Sequence, residues 1–135
     1  MRVRSVLAGS VAIAALAIAG SAQAAPQAPS IKRAVLQKHD LQAPGHEGIL
    51  VSVEIPPGER EGRHTHPAAD LFVYVVEGTL TVEVEGEPAV TYKAGDSFFT
   101  ARGKVHEGIN KSSAPVKIIG FFAAEKGKPL TTPAK

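Results

Sequence analysis

Past residue 30 the chain is a succession of short apolar runs cut by glycine and proline turns, and no stretch there carries a helical period. Ile49 to Ile55 alternates, with Ile49, Val51, Val53 and Ile55 on one face and Ser52 and Glu54 on the other, as in a half-buried strand. Pro56-Pro57-Gly58 ends it, because two prolines remove two backbone donors. Leu71–Val76, Thr79–Glu85, Val90–Lys93, Ser97–Thr100, Val105–Ile109 and Val116–Ala123 read as further strands, and Ile31–Leu36 as a short one before them. Strands punctuated roughly every eight to twelve residues predict an all-β sandwich or barrel. The pattern alone does not separate the two. The polar, proline-bearing stretch from Glu125 onward is expected on the surface or frayed.

Composition narrows the setting. The chain has 135 residues and no cysteine, so neither disulfides nor thiol chemistry contribute. Met1-Arg2-Val3-Arg4 is a basic start, Val6 to Ile18 is apolar or small, and Ser21-Ala22-Gln23-Ala24 offers small residues for cleavage after Ala24. That is the layout of a secretory signal peptide, and the run is short for a membrane span. The expected organisation is a signal peptide over 1–24, an N-terminal segment over 25–48, a barrel over 49–124 and a tail over 125–135. The chain is expected to be exported, periplasmic or secreted, without a stable membrane anchor. Removing Arg2 and Arg4 takes the 15 basic residues to 13, equal to the 13 acidic ones. A balanced domain gives no electrostatic argument for nucleic acid.

The chemistry concentrates in His64-Thr65-His66 and in His106, forty residues later. In an extended backbone, side chains two residues apart share a face. Two imidazoles so placed can hold one divalent ion, and a third would give the ligand count of an open metal site. His39 and His46 fall in loop-like sequence and read as surface residues.

These residues form two motifs. The first runs Gly58, five residues, His64-Thr65-His66, an acidic residue and Glu77-Gly78; the second runs Gly95, Ala101, Gly103, His106 and Asn110. In both spacing and residue type the chain resembles the cupins, whose second motif carries proline where Ala101 stands. The likeness extends from Val35 to Leu130 and is to small, single-domain, often exported members. The resemblance implies a jelly-roll β-barrel (a double-stranded β-helix) with the three histidines lining its interior, and a homodimer.

The carboxylate that usually completes such a site is out of step here. Counting forward from His66, Asp70 occupies the position and has the parity of the histidines. Counting back from Gly78, the slot falls on Leu71, which binds no metal. One extra residue must be absorbed by a bulge or in the Pro67-Ala68-Ala69 turn. A bulge after Asp70 gives three histidines and an aspartate, the expected set; otherwise the site is three histidines with open positions.

Phe72, Tyr74, Phe98 and Phe99 are candidates for the pocket wall, although barrel core without ligand contact explains any one of them more simply. Glu59, Arg60, Glu61 and Arg63 read as a solvated charged rim, and Lys93 and Arg102 likewise. No nucleophile elbow, phosphate-binding glycine loop or paired carboxylates point to another chemistry. The expected function is coordination of a small organic molecule at a divalent transition metal, with zinc, copper, iron, manganese or nickel all open. A dioxygenase-like or an isomerase or lyase activity would follow from such a site. A non-catalytic binding module is the alternative.

Overall fold

The computed structural model describes residues 28–135. The expected signal peptide lies outside them. Ten strands form in chain order: β1 Lys32–Asp40, β2 His46–Ile55, β3 His64–Thr65, β4 Ala69–Glu77, β5 Thr79–Val84, β6 Val90–Lys93, β7 Ser97–Thr100, β8 His106–Ile109, β9 Val116–Glu125 and β10 Thr132–Pro133. There is no helix among the described residues. All pairings are antiparallel and make two five-stranded sheets, in the orders β1-β2-β9-β4-β7 and β10-β3-β8-β5-β6. This is the jelly roll expected from the motifs, and the strands found on the alternation pattern are all present.

The first sheet supplies one wall of the interior through its register. Ile49, Phe122 and Leu71 stand in one row across β2, β9 and β4, and Val53, Ile118 and Val75 in another. Between them Gly120 stands between Val51 and Val73. A Cβ on Gly120 would come within 3.2 Å of both Leu71 Cδ1 and Val51 Cγ2. Leu71 and Val51 close over the glycine, so the layer is filled there without a side chain of its own. Leu80 and Val82 of β5 close the interior from the opposite sheet, both almost fully buried.

Turn glycines set where strands reverse. Gly78 has φ 83°, and a Cβ there would meet the Pro115 carbonyl oxygen at 2.4 Å. Only glycine fits between β4 and β5, because both the backbone region and the close approach exclude a side chain.

Two short elements were invisible to periodicity. β3 and β10 have two residues each, too few for an alternation to register. β10 pairs with β3, Thr132 opposite Thr65 and Pro133 opposite His64. The C-terminal stretch lies on the surface, as expected, and it does not fray but is held against the strand that carries the first histidines.

Candidate metal centre

Strand pairing brings the two motifs together. His64 on β3 stands directly opposite His106 on β8. His66 follows one residue after β3, and its carbonyl accepts a hydrogen bond from Gly103 N at 3.0 Å, tying it to the turn before β8. The ring centroids are 4.4 Å apart for His64 and His106, and 5.0 Å for each of the other two pairs. One ligand nitrogen from each of the three rings lies within 4.8 Å of the others.

The second nitrogen of each ring is engaged. His64 Nδ1 donates to the Gly62 carbonyl at 2.7 Å, His66 Nδ1 to the Leu130 carbonyl at 2.8 Å, and His106 Nδ1 to the Lys104 carbonyl at 3.0 Å. A carbonyl only accepts, so each Nδ1 carries the proton and each Nε2 is left with its lone pair. Such backbone partners fix the orientation of metal-binding imidazoles. His66 Nε2 is buried and has no hydrogen-bond partner. An unsatisfied buried acceptor costs about 1–3 kcal/mol, which a cation shared with the other two rings would offset. These residues fit a divalent metal: zinc–nitrogen bonds of about 2.0–2.1 Å at a tetrahedral angle set nitrogens roughly 3.4 Å apart, and the three rings, with ligand atoms within 4.8 Å of one another, need only draw together to reach it.

Burial favours the neutral form of His66 and His106. Desolvation pushes His66 down to about 4, partly opposed by its bond to Leu130 and aided by the other two histidines. His106 is lowered for the same reason, opposed by its bond to Lys104 and aided by His64. Neutral imidazoles are the form that binds metal. The sign of the pH dependence follows. Below 6.5 the unfolded chain takes up a proton at this histidine that the folded chain refuses until about 4. The metal-free protein should therefore lose stability as pH falls from about 6.5 toward 4, by about 3 kcal/mol from His66. Thermal unfolding of chelated protein across that window checks this. A flat profile would contradict it.

Asp70 is a correction to the expected ligand set. The β4–β9 register runs unbroken from Ala69 to Val75, and the irregularity falls between Val75 and Glu77, beyond the position where Asp70 would have needed it. Leu71 thus faces inward and lines the cavity with the histidines. The extra residue is taken up earlier, in the Pro67-Ala68 turn. Asp70 points the other way, and its Oδ1 accepts a hydrogen bond from Arg102 N at 2.9 Å. Asp70→Ala should leave metal content unchanged and cost about 1 kcal/mol for the lost turn bond. Elemental analysis alongside thermal melts measures both, and loss of metal would restore Asp70 to the site.

The same parity relocates the aromatic residues. Phe98 lines the cavity and stacks on Tyr92 with centroids 4.6 Å apart. Phe72, Tyr74 and Phe99 are on the outer face, about half exposed, with Phe72 and Phe99 in contact at 4.9 Å. They are not pocket walls, because they alternate with the inward Leu71, Val73 and Phe98.

Beside the histidines lies a cavity of about 420 Å³, within the usual range for small-molecule sites. Val53, Val73, Leu80, Val82, Phe98 and Ile118 give it an apolar body, and the histidines with Glu61 and Arg33 give it a polar end. Glu61, read from the sequence as part of a solvated rim, instead lines the cavity. Its side chain is only 13% exposed, and burial pushes its carboxyl up, with His64 and Arg33 pulling it back. The signal was Gly108: a glycine inside a strand marks a close approach, and a Cβ there would meet Glu61 Oε2 at 2.5 Å.

Arg60, by contrast, does sit on the rim, but with a purpose. Its guanidinium makes two 2.7 Å bonds to the Glu107 carboxylate, which also accepts from Gly62 N at 3.1 Å. Glu107 follows His106, so this clasp joins the loop before His64 to the strand bearing His106. The Arg60 bond holds the Glu107 carboxyl below its ordinary value.

Comparison with known proteins agrees with this architecture. A family model described as "Cupin domain" matches residues 51–122, more than half of the chain. A tetracenomycin polyketide synthase protein, TcmJ, of Streptomyces glaucescens is 35% identical over 72 residues, covering 53% of this chain and 48% of that protein. The chain thus matches about half the length of that relative. Among solved structures, an uncharacterized conserved protein with a double-stranded beta-helix domain from Klebsiella pneumoniae superposes with TM-score 0.66 at 20% identity, over 82% of this chain and 89% of that one. A predicted oxalate decarboxylase from Thermotoga maritima superposes with TM-score 0.61 at 22% identity, over 70% and 80% of the two chains. At such identities the structural likeness concerns the fold.

Proposed function

The chain belongs to the cupin family, and on that premise we propose that it is an exported metal-binding protein that takes a small organic ligand beside a three-histidine centre. The observation that carries the reading is the donor pattern: three Nδ1–H groups bonded to backbone carbonyls, three Nε2 atoms left to converge, and one of them buried without a partner. His64, His66 and His106 would hold the ion. A divalent transition metal there would supply a Lewis-acid or redox-active centre, open to an oxygenase-like or an isomerase or lyase activity. The protein's own part is to hold the three imidazoles oriented, His66 and His106 neutral by burial, and to exclude water with the apolar walls of the cavity. Elemental analysis of protein isolated from its native compartment tests the reading. One equivalent of a divalent metal, lost on chelation, is expected; purified protein that takes up no metal would refute it.

A non-catalytic binding module is the second reading, favoured by the apolar character of the cavity. A turnover screen of metal-loaded protein separates the two, since binding without conversion belongs to the module.

Export rests on the basic, apolar and small-residue pattern of residues 1–24. Intact mass of secreted material should show a chain beginning at Ala25, and retention of Met1 would contradict it. Homodimerisation is supported by the exposed apolar group of Phe72, Tyr74, Val76 and Phe99 on the outer face of the first sheet. Sedimentation should report twice the mature mass, and a monomer at every concentration would remove the claim.

A further inference from the structure

We infer that Glu61 selects the ligand of this cavity, favouring a small apolar molecule whose head group is a hydrogen-bond-donating hydroxyl, of the phenol or enol class, over one that ends in a carboxylate. This rests on the reading of the cavity as the ligand site. It adds the chemistry of the head group and the residue that recognises it.

The two cations that line the cavity are already paired, Arg33 with Glu61 and Arg63 with Glu85, so what its polar end has left to offer a ligand is mainly acceptors. Each histidine offers an Nε2 lone pair, because its Nδ1 proton is already committed. Glu61 adds a carboxylate that is 13% exposed, and the one partner the structure gives it is Arg33, at a long 3.4 Å through Oε1. Oε2 faces Gly108 on β8, two residues beyond His106, close enough that a methyl group there would strike it. A cation satisfies the converging imidazoles. It does not satisfy Glu61, which stands outside the group whose ligand atoms share one ion. A desolvated carboxylate with an unfilled oxygen calls for a donor, and a hydroxyl bonded to an ionised acceptor makes a short, strong bond. A carboxylate head group in the same place would set two negative charges together with little water between them.

The rest of the cavity fixes the body of the molecule. Val73, Leu80, Val82, Phe98 and Ile118 offer no polar partner beyond that head, so the ligand is apolar away from its hydroxyl.

The test uses two probes of the same shape, para-ethylphenol and para-ethylbenzoate. Their affinities are measured by calorimetry in mildly alkaline buffer, where the raised carboxyl is ionised. Full-length mature protein is used as purified and again after chelation, so the outcome does not depend on metal. Wild type should prefer the phenol. Glu61→Gln should weaken phenol binding by about tenfold or more and strengthen benzoate binding by roughly three- to tenfold. Opposite signs are expected only if the carboxylate itself reads the head group, since a loosened cavity would weaken both probes. Gly108→Ala should weaken phenol binding in the wild-type background and have no further effect once Glu61 is alanine. Equal changes for the two probes, or no change, would overturn the inference, as would wild-type protein that binds no phenol at millimolar concentration. Absence of metal from the purified protein would count against the function proposed above and leave this result intact.

Discussion

Replacing His64, His66 or His106 by alanine should lower metal affinity by more than about a hundredfold, beyond the 10–100-fold typical of losing an outer partner of a ligand. Each substitution removes one of three nitrogens that no other residue can replace. Asp70 is turned to the Arg102 amide, and the inward neighbour in its place is Leu71. The three variants should differ in stability as well. His66→Ala removes the buried, unpartnered Nε2, so the metal-free variant should be less destabilised than loss of a packed ring alone would suggest. His64 and His106 face each other across β3 and β8, and losing either leaves a gap between short strands. Elemental analysis and competition with a chelator measure the affinities. A variant that kept its metal would show that the three rings do not share one ion.

Asn110→Ala should be the most destabilising single change outside the site, at about 3–5 kcal/mol, lowering Tm by roughly 10–25 °C. The side chain is fully buried and every polar atom on it is used. Its Nδ2 donates to the carbonyls of Ile55 at 2.9 Å and Ala114 at 2.8 Å, and its Oδ1 accepts from Ser112 N at 3.0 Å and Ser112 Oγ at 2.7 Å. Alanine would leave the carbonyl of the buried Ile55 without its partner and release the Ser112–Ala114 turn nearer the surface. The backbone of the same residue pairs with Gly58 and Glu59. Asn110 therefore joins the end of β2, the loop leading to His64 and the turn into β9. Asn110→Asp keeps the acceptor for Ser112 but turns an oxygen toward two carbonyls, and should be at least as damaging. Thermal denaturation decides the matter, and a shift of only a few degrees would mean the loop is held by other contacts.

The outline of the fold was legible because alternation has a direct physical cause. Ile49, Val51 and Val53 share a face by strand geometry alone, and they line the interior. His64 and His66 share a face for the same reason, and the spacing to His106 carried the third ligand. Where the rule had to be continued across a turn it failed. The parity that placed Asp70 with the histidines assumed extended chain through Pro67 and Ala68, but the turn there resets the phase and brings Leu71 inward. Phe72 and Tyr74 share the parity of Asp70 and turn outward with it, and Phe99, next to the inward Phe98, faces out on its own strand.

What the sequence determined by itself was therefore local: the strands, their turns, and the three imidazoles that alternation and motif spacing bring to one interior. What only the tertiary structure decided was everything that depends on residues distant in the chain. The Leu130 carbonyl that fixes the His66 tautomer comes from a tail whose composition suggested no structure. Glu61 became a cavity residue only because Gly108, on another strand, leaves space for its carboxylate. Periodicity reports which way a side chain points from its own strand. It carries no information about what the opposing strand omits, and the buried carboxylate of this cavity is made by such an omission.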